Sequence, residues 1–553
     1  MTIGPKKLDA LRHGFGALDN DLIDELVAGR IDRRTFLRHG SLLGLSLPML
    51  GGIATLLGAS AAPTPARAAP KPGGTLRVGM IVPAAAIDPV TIADEGGLTL
   101  LIQVGEFLCV TQPDFTLKPV LAESWSHNAD GSVWTFKLRS GVKFHSGATL
   151  KAEDVIASID RLCDPKNSSN ALSAFKGILS PGNTKKVDDL TVEFHLDGPY
   201  GAFPNVISSD NYNCVILPAT YQTGFEQSWE GTGPWKLEKY TAKVGASFVR
   251  NPDYWGKKAL ADRTEFTFFT DLQPMILALQ GGQIDLIAQI PVSGGQAILN
   301  DSRFTVIREK GTGHEQLHMR TDVGPFMDKR VRRALALTLN RKKLVSGLFR
   351  GLAEVGNDSP FALAYPMTDK AVPQREQNIR EAKELMAAAG VPKGFKVTLT
   401  TERYIEIPDY AVLVQSFAKA IGIEITLNVE SQDAYYGKAV FGQSDWLDST
   451  MGITDYGNRG VPNVFLRAPL LSDGTWNAAH FKNPAYDALV GSYSKAADLG
   501  SQRKLATEIE TLLLDETPVV FAYFYDYLVP VKKGLMGIPA TANRLYLDQA
   551  YFA

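Results

Sequence analysis

Cysteine is scarce: the chain has three in 553 residues, at positions 109, 163 and 214. Three allow at most one disulfide, so no disulfide framework holds this chain together, even in an oxidising compartment. Clusters of lysine and arginine are also missing, with 57 basic residues against 59 acidic ones. That balance excludes a surface built to neutralise many nucleic-acid phosphates. Beyond the N-terminal segment there is no Gly-x-Ser-x-Gly elbow, no phosphate-binding loop and no Cys-x-x-Cys pair, which removes three common routes to covalent, phosphoryl and redox chemistry. Internal repeats and low-complexity linkers are absent as well, so lobes in this chain are expected to be interleaved and not strung in series.

What is present begins with an address. Asp32-Arg33-Arg34-Thr35-Phe36-Leu37-Arg38 resembles a twin-arginine export signal. The 22 residues from Ser41 to Ala62 carry no charge, and Ala66-Arg67-Ala68 offers a small-x-small cleavage site. An uncleaved membrane anchor is the alternative, since about 20 apolar residues span a bilayer. Pro48 and glycines at 44, 51, 52 and 58 dilute the stretch, and no cysteine nearby offers a lipid attachment point. Residues 1–68 are therefore expected to be a cleaved signal, giving a periplasmic protein that starts at Ala69 and has no membrane span. Its removal takes eight basic and six acidic residues, leaving 49 against 53, a net charge of −4.

The remaining chain, about 485 residues, is long enough for two or three cores. Trp134, Phe136 and Leu138 alternate, as do Val192, Phe194 and Leu196, and then Ile423, Ile425, Leu427 and Val429. Each run predicts a half-buried strand. Helical spacing puts Val155, Ile156, Ile159 and Leu162 on one face over 151–162, and a second helix is predicted over 376–389, stopped by Gly390 and Pro392. Strands interleaved with helices predict an α/β protein.

An ordered series of short segments then resembles a known family from Gly73 to about residue 537. It runs from Gly73-Gly74-Thr75-Leu76-Arg77-Val78 and Ile87-Asp88-Pro89 through Leu121-Ala122-Glu123-Ser124-Trp125, Trp134-Thr135-Phe136-Lys137-Leu138-Arg139 and Gly231-Thr232-Gly233-Pro234-Trp235. Asn251-Pro252-Asp253-Tyr254-Trp255, Gly282-Gln283-Ile284-Asp285 and the run from Pro325 to Ala334 continue it. The chain resembles the oligopeptide, dipeptide and nickel solute-binding proteins of bacterial ABC importers, family 5. The resemblance implies a periplasmic-binding-protein-like, two-lobed fold of the Venus-flytrap kind, with an extra domain inserted in the first lobe. Carried over, lobe I takes residues 69–112, 203–312 and 518–553, the insertion 113–202, and lobe II 313–517. The implied partners are a small peptide or peptide-like solute and permease subunits, with the protein itself a monomer that needs no cofactor and performs no catalysis.

In peptide-binding relatives an aspartate of the second lobe accepts the ligand's ammonium, within a segment resembling Thr454-Asp455-Tyr456. An ammonium taken out of water needs a carboxylate to meet it, which makes Asp455 a candidate; a turn residue near Gly457 is the alternative. The relatives' tryptophan three residues earlier is Gly452 here, and their upstream arginine falls on Ser449. Arg459 is new positive charge, suited to a ligand carboxylate or phosphate, or to neutralising Asp455. The strip from Ile92 to Gly97 corresponds to the first-lobe ligand contact, with Ile92 and Glu95 as candidates. Tyr523 and Tyr525 share a strand face with Phe521 and Tyr527, and tyrosines suit a site that opens to water.

Two enzymatic patterns compete. His314-Glu315-Gln316-Leu317-His318 matches the zinc-peptidase spelling His-Glu-x-x-His. That chemistry needs a helix, where residues four apart lie about 6 Å apart; in a strand the spacing is about 13 Å, too far to share one metal. The family's segment is a strand. A secreted zinc metallopeptidase using His314, Glu315 and His318, and a metal-chelate receptor of the nickel type, are the alternatives. Ser173-x-x-Lys176 with Ser209-Asp210-Asn211 spells part of a β-lactamase set, but no Lys-Thr-Gly follows.

Overall fold

The computed structural model describes residues 17–42, 50, 72–92, 94–113, 116–496, 499–541 and 544–553. Arg33 and Arg34 open a helix, Arg33–Leu42, on which Phe36 is buried. Most of the uncharged run, the Ala66-Arg67-Ala68 site and Ala69 lie outside the described residues.

Strand β1 (Thr75–Ile81) sits in the middle of the first lobe's sheet. The chain then forms helix α1 (Glu95–Val104) and enters a separate four-stranded sheet of β2 (Ala122–His127), β3 (Val133–Leu138), β4 (Thr184–Asp188) and β5 (Thr191–His195). The alternation in β3 and β5 buries Trp134, Phe136, Val192 and Phe194, with α2 (Ala152–Cys163) adding Val155, Ile159 and Leu162. Returning, the chain lays down β6 (Trp235–Thr241), β7 (Gly245–Arg250), β8 (Arg263–Phe269) and β9 (Leu286–Ile287). Of these, β8 and β9 flank β1 in parallel.

Strand β10 (Phe304–Lys310) closes the first sheet, and after Gly311-Thr312-Gly313 the chain becomes β11 (His314–Met319) of a second sheet. Lobe II adds β12 (Lys396–Glu402), β13 (Glu424–Glu430) and β14 (Met451–Tyr456), in the order β13-β12-β14-β11-β15. Strand β15 (Val519–Phe521) ends that sheet, and one residue later β16 (Tyr523–Lys532) pairs with β10 back in lobe I. Two crossings thus join two lobes. Gly313 belongs at the first, because an added Cβ there would lie 3.1 Å from the Tyr525 ring at the second.

The predicted helix over 376–389 is α3 (Ile379–Ala388), capped by Asn378, whose side chain accepts from the Glu381 amide. Arg332 departs from the usual fate of a charged residue in a first helical turn. It is buried and donates to the carbonyls of Phe326, Met327, Glu516 and Thr517, tying a loop to the end of helix Leu499–Glu516. All three cysteines are buried and free, so no disulfide forms among them.

Candidate functional site

The lobes meet across a cleft with two connected compartments. The outer one, about 280 Å³, runs between Met80, Ile81, Leu272 and Met275 on lobe I and Arg403, Tyr404, Ile405 and Pro408 on lobe II. A smaller chamber of about 40 Å³ lies deeper, lined by Asp94, Glu95 and Tyr212 from lobe I and Tyr436, Trp446, Asp455, Arg459 and Trp476 from lobe II. Glu95, Tyr404 and Gln432 border both.

Local structure places each wall. Asp94 caps α1, accepting from the amides of Gly97 and Ala84, which presents Glu95 from the first turn. Opposite, β14 pairs with β11 so that Asp455 lies across from Glu315. Side chains alternate along a strand. Ile405 follows β12 with φ of 42°, a left-handed conformation costly for a β-branched residue, and this kink turns Tyr404 and Glu406 toward lobe I. The Tyr404 hydroxyl donates to Gln289 at 2.8 Å and the Val292 amide donates to Glu406 at 2.5 Å. With the Gly460 amide donating to Asp210 at 3.0 Å, these contacts hold the lobes together in the described conformation.

The cleft is acidic. Asp455 accepts a 2.5 Å hydrogen bond from the Tyr525 hydroxyl. Burial raises its carboxyl well above the ordinary range, with Glu402, Glu95 and Glu406 adding to the rise. Burial likewise pushes Glu95 up to about 7, opposed by Arg544 and Arg459. Glu402 reaches about 7 for the same reason, although it accepts from Gln432, Tyr436 and the Asp455 amide. Glu406 and Glu315 are raised by burial and then by neighbouring carboxylates.

A pH dependence of stability follows. The folded chain holds the Glu402 proton up to about 7, whereas the unfolded chain releases it near pH 4.3. Its contribution is therefore fully present below the unfolded value and lost as pH rises through the folded one. Stability should fall between pH 5 and 7 by about 1.4 kcal/mol per pH unit for each such proton. Glu402→Gln should flatten the profile by about one proton's worth in urea titrations at each pH; an unchanged slope contradicts this assignment.

Asp455, Glu95 and Arg459, singled out from the sequence, converge on the inner chamber, and Tyr525 touches Asp455 from behind. Arg459 forms no ion pair with Asp455 or Glu95; its guanidinium lies over the Tyr212 ring, 4.7 Å from the centroid. Ile92 and Tyr523 line neither compartment. Ile92 is buried beneath α1, its amide donating to the Asp88 carbonyl and its carbonyl accepting from Asn170 and Asn213. Tyr523 is buried behind the cleft, bonded to Glu315 and packed on Phe349 and Tyr410. Tyr527 of the same strand face reaches the outer compartment instead.

The zinc-peptidase spelling sits on strand β11. His314 points into an aromatic nest of Tyr456, Phe465, Phe521 and Phe524, and burial lowers it to about 3. His318, lowered by burial to about 4, lies 3.2 Å from the Ser449 carbonyl oxygen. It also fills the space beside Gly452, where an added Cβ would come within 2.5 Å of its ring, so the relatives' tryptophan has no room. Of the β-lactamase spelling, Lys176 pairs with Asp473, and Asp210 binds Thr111, Asn205 and Gly460. Among the described residues no group of three histidine, cysteine or carboxylate side chains is placed to hold a metal.

Sequence reasoning missed Glu402, Tyr404, Tyr436, Trp446 and Trp476. Glu402 ends β12, Tyr404 and Trp476 lie in irregular segments, and Tyr436 and Trp446 sit on helices of five and four residues, too short for a periodic signal; only the fold brings them to Asp455.

Comparison with known proteins gives a consistent outcome. The chain is 25% identical over 463 residues to heme-binding protein A of Haemophilus influenzae, covering 78% of this chain and 83% of that protein. It is also 25% identical over 483 residues to the glutathione-binding protein GsiB of Pectobacterium atrosepticum, covering 83% and 90%. Its fold is similar to that of the periplasmic binding protein DppA from Helicobacter pylori in complex with the peptide STSA, with a TM-score of 0.77 at 23% identity, covering 87% of this chain and 98% of that one. Residues 116–471 match the profile described as bacterial extracellular solute-binding proteins, family 5, and the chain belongs to that family of solute-binding proteins.

Proposed function

We propose that the protein captures a small peptide or peptide-like solute carrying an ammonium group, closes on it by hinge motion, and delivers it to the permease subunits of an ABC importer from the periplasm. The observation that carries this reading is Asp455, a carboxyl group walled into the inter-lobe cleft whose side chain, among the described residues, accepts from the Tyr525 hydroxyl and which Glu402, Glu95 and Glu406 act on with like charge. Desolvating a carboxylate there is costly unless a cation arrives with the solute. The hinge rests on the crossings at Gly311–Gly313 and Ala522. Closure then couples binding energy to shape, the form a permease reads.

The reading includes export through the twin-arginine route on Arg33 and Arg34. It includes units at 69–112, 203–312 and 518–553 for lobe I, 113–202 for the insertion and 313–517 for lobe II, supported by sheet changes near 122, 195, 313 and 522. A strand-borne His314 and His318, about 13 Å apart along the chain, offer no peptidase zinc site. Among the described residues no helix is long and apolar enough to cross a membrane.

The test is native mass spectrometry of protein from the periplasmic fraction, a compartment that the double variant Arg33→Lys, Arg34→Lys should not reach. An amine-bearing solute released on denaturation is expected. Stoichiometric zinc with peptidase turnover, or a bound solute lacking any cationic group, overturns the reading.

A further inference from the structure

The inner chamber contains one group that the ammonium reading leaves unexplained. Arg459 is only 4% exposed, and its Nε and Nη1 meet no acceptor. The side chain is not free to withdraw, because its backbone is fastened on both sides. The Arg459 amide donates to the Thr312 hydroxyl at 3.0 Å, and its carbonyl accepts from the Thr312 and Tyr365 hydroxyls at 2.7 and 2.8 Å. Tyr212 supplies a ring beneath the guanidinium and a hydroxyl that interacts with it, and Nε and Nη1 remain open. Arg544 shares that ring at 5.9 Å, so a second cation raises the local demand for an anion. Across the chamber, Glu95 Oε2 is also buried without a hydrogen-bond partner.

A buried guanidinium with open donors is matched in geometry by a planar oxyanion, which two parallel N–H groups can grip. Asp94, Glu95 and Asp455 line the same chamber, so a doubly charged phosphate would face three carboxyls. A carboxylate that brings its own ammonium adds no net charge. The chamber measures about 40 Å³, room for about three waters where one needs about 10–15 Å³. Both charges must therefore sit on a small head, while the rest of the solute passes Glu95 and Tyr404 into the apolar outer compartment of about 280 Å³.

We propose that the solute is headed by an α-amino acid zwitterion, an ammonium and a carboxylate on one carbon, with Asp455 taking the ammonium and Arg459 gripping the carboxylate. This rests on the ammonium reading of Asp455. An ordinary α-linked peptide does not satisfy the chamber, because its N-terminal ammonium stands next to an amide and its carboxylate lies at least one residue further on, about 3.5 Å or more along the chain. A free amino acid with a long side chain, or a peptide joined through a side-chain carboxyl, does satisfy it.

The probes are two isomers of one composition, γ-L-glutamyl-L-leucine and α-L-glutamyl-L-leucine, titrated calorimetrically into the mature protein. The γ isomer should bind at least about tenfold more tightly, and converting its head carboxylate to a carboxamide should remove that advantage without any change to the protein. Arg459→Gln should cost the γ isomer at least about tenfold and the α isomer less than about threefold, with Arg459→Lys falling between because it keeps charge and loses the fork. Equal binding of the isomers, an α preference, a γ preference that survives Arg459→Gln, or no binding of either at millimolar concentration overturns the proposal. If the isomers bind equally and Asp455→Asn weakens both, only the head-group assignment fails. If Asp455→Asn leaves both affinities unchanged, the ammonium reading itself fails.

Discussion

Asp455→Asn is expected to weaken binding of an amine-bearing solute by roughly 30-fold to several thousand-fold, the equivalent of about 2 to 5 kcal/mol for truncating one side of a desolvated charge pair. The side chain keeps its shape and can still meet the Tyr525 hydroxyl, the partner it has at 2.5 Å. What disappears is the charge that offsets the solute's cation. Glu402 does not take over, because it is engaged with Gln432, Tyr436 and the Asp455 amide. Blocking the solute's amine should cost the wild-type protein a similar amount and the variant almost nothing more, the non-additivity that marks direct contact. Calorimetry on the four combinations reads this. Additive losses would return Asp455 to the role of a strand-end residue.

How far the sequence could carry this result depended on where each residue gets its neighbours. The helix over 376–389 was legible because its apolar spacing, cap and Gly390 stop are local, and the observed Ile379–Ala388 lies inside those limits. Strand β11 was legible because His314 to His318 follows Gly311-Thr312-Gly313 with no apolar helical stripe. Asp455 and Glu95 came from resemblance, and the register that sets Asp455 opposite Glu315 explains why that strand end faces the cleft. Tyr523 and Tyr525 looked equivalent by alternation, yet one is consumed by Glu315 and the other touches Asp455. That distinction is made by helix Ile407–Ala418, which brings Tyr410 against Tyr523, and no local pattern reports it. Arg332 was illegible for a related reason. Its partners are main-chain carbonyls at 516 and 517, and carbonyls leave no mark on composition.

Lobe II also depends on a buried charge cluster, and its disruption should be the largest single loss of stability. Asp358 is fully buried and accepts from Arg341 at 2.7 and 2.6 Å and from Arg375 at 2.6 Å. It stands at φ of 52°, a conformation aspartate tolerates better than most residues, and its amide donates to the Phe521 carbonyl at the second crossing. Asp358→Ala would leave two buried guanidiniums without their carboxylate, at a cost of about 3 to 5 kcal/mol. Asp358→Asn keeps the backbone preference and the shape, so the difference between the two variants separates lost hydrogen bonding from lost charge. A chain of two lobes need not unfold in one step, so the measurement is hydrogen exchange on β11 and β14 against β1 and β8. Protection should fall in lobe II first. Solute at a hundredfold excess over its Kd should restore about 2.7 kcal/mol, because Asp455 and Arg459 remain intact, whereas Asp455→Asn shows no such recovery at the same solute concentration. Equal loss in both lobes, or a change below about 1 kcal/mol, would mean that the arginine pair finds other acceptors and that Asp358 does not anchor the second crossing.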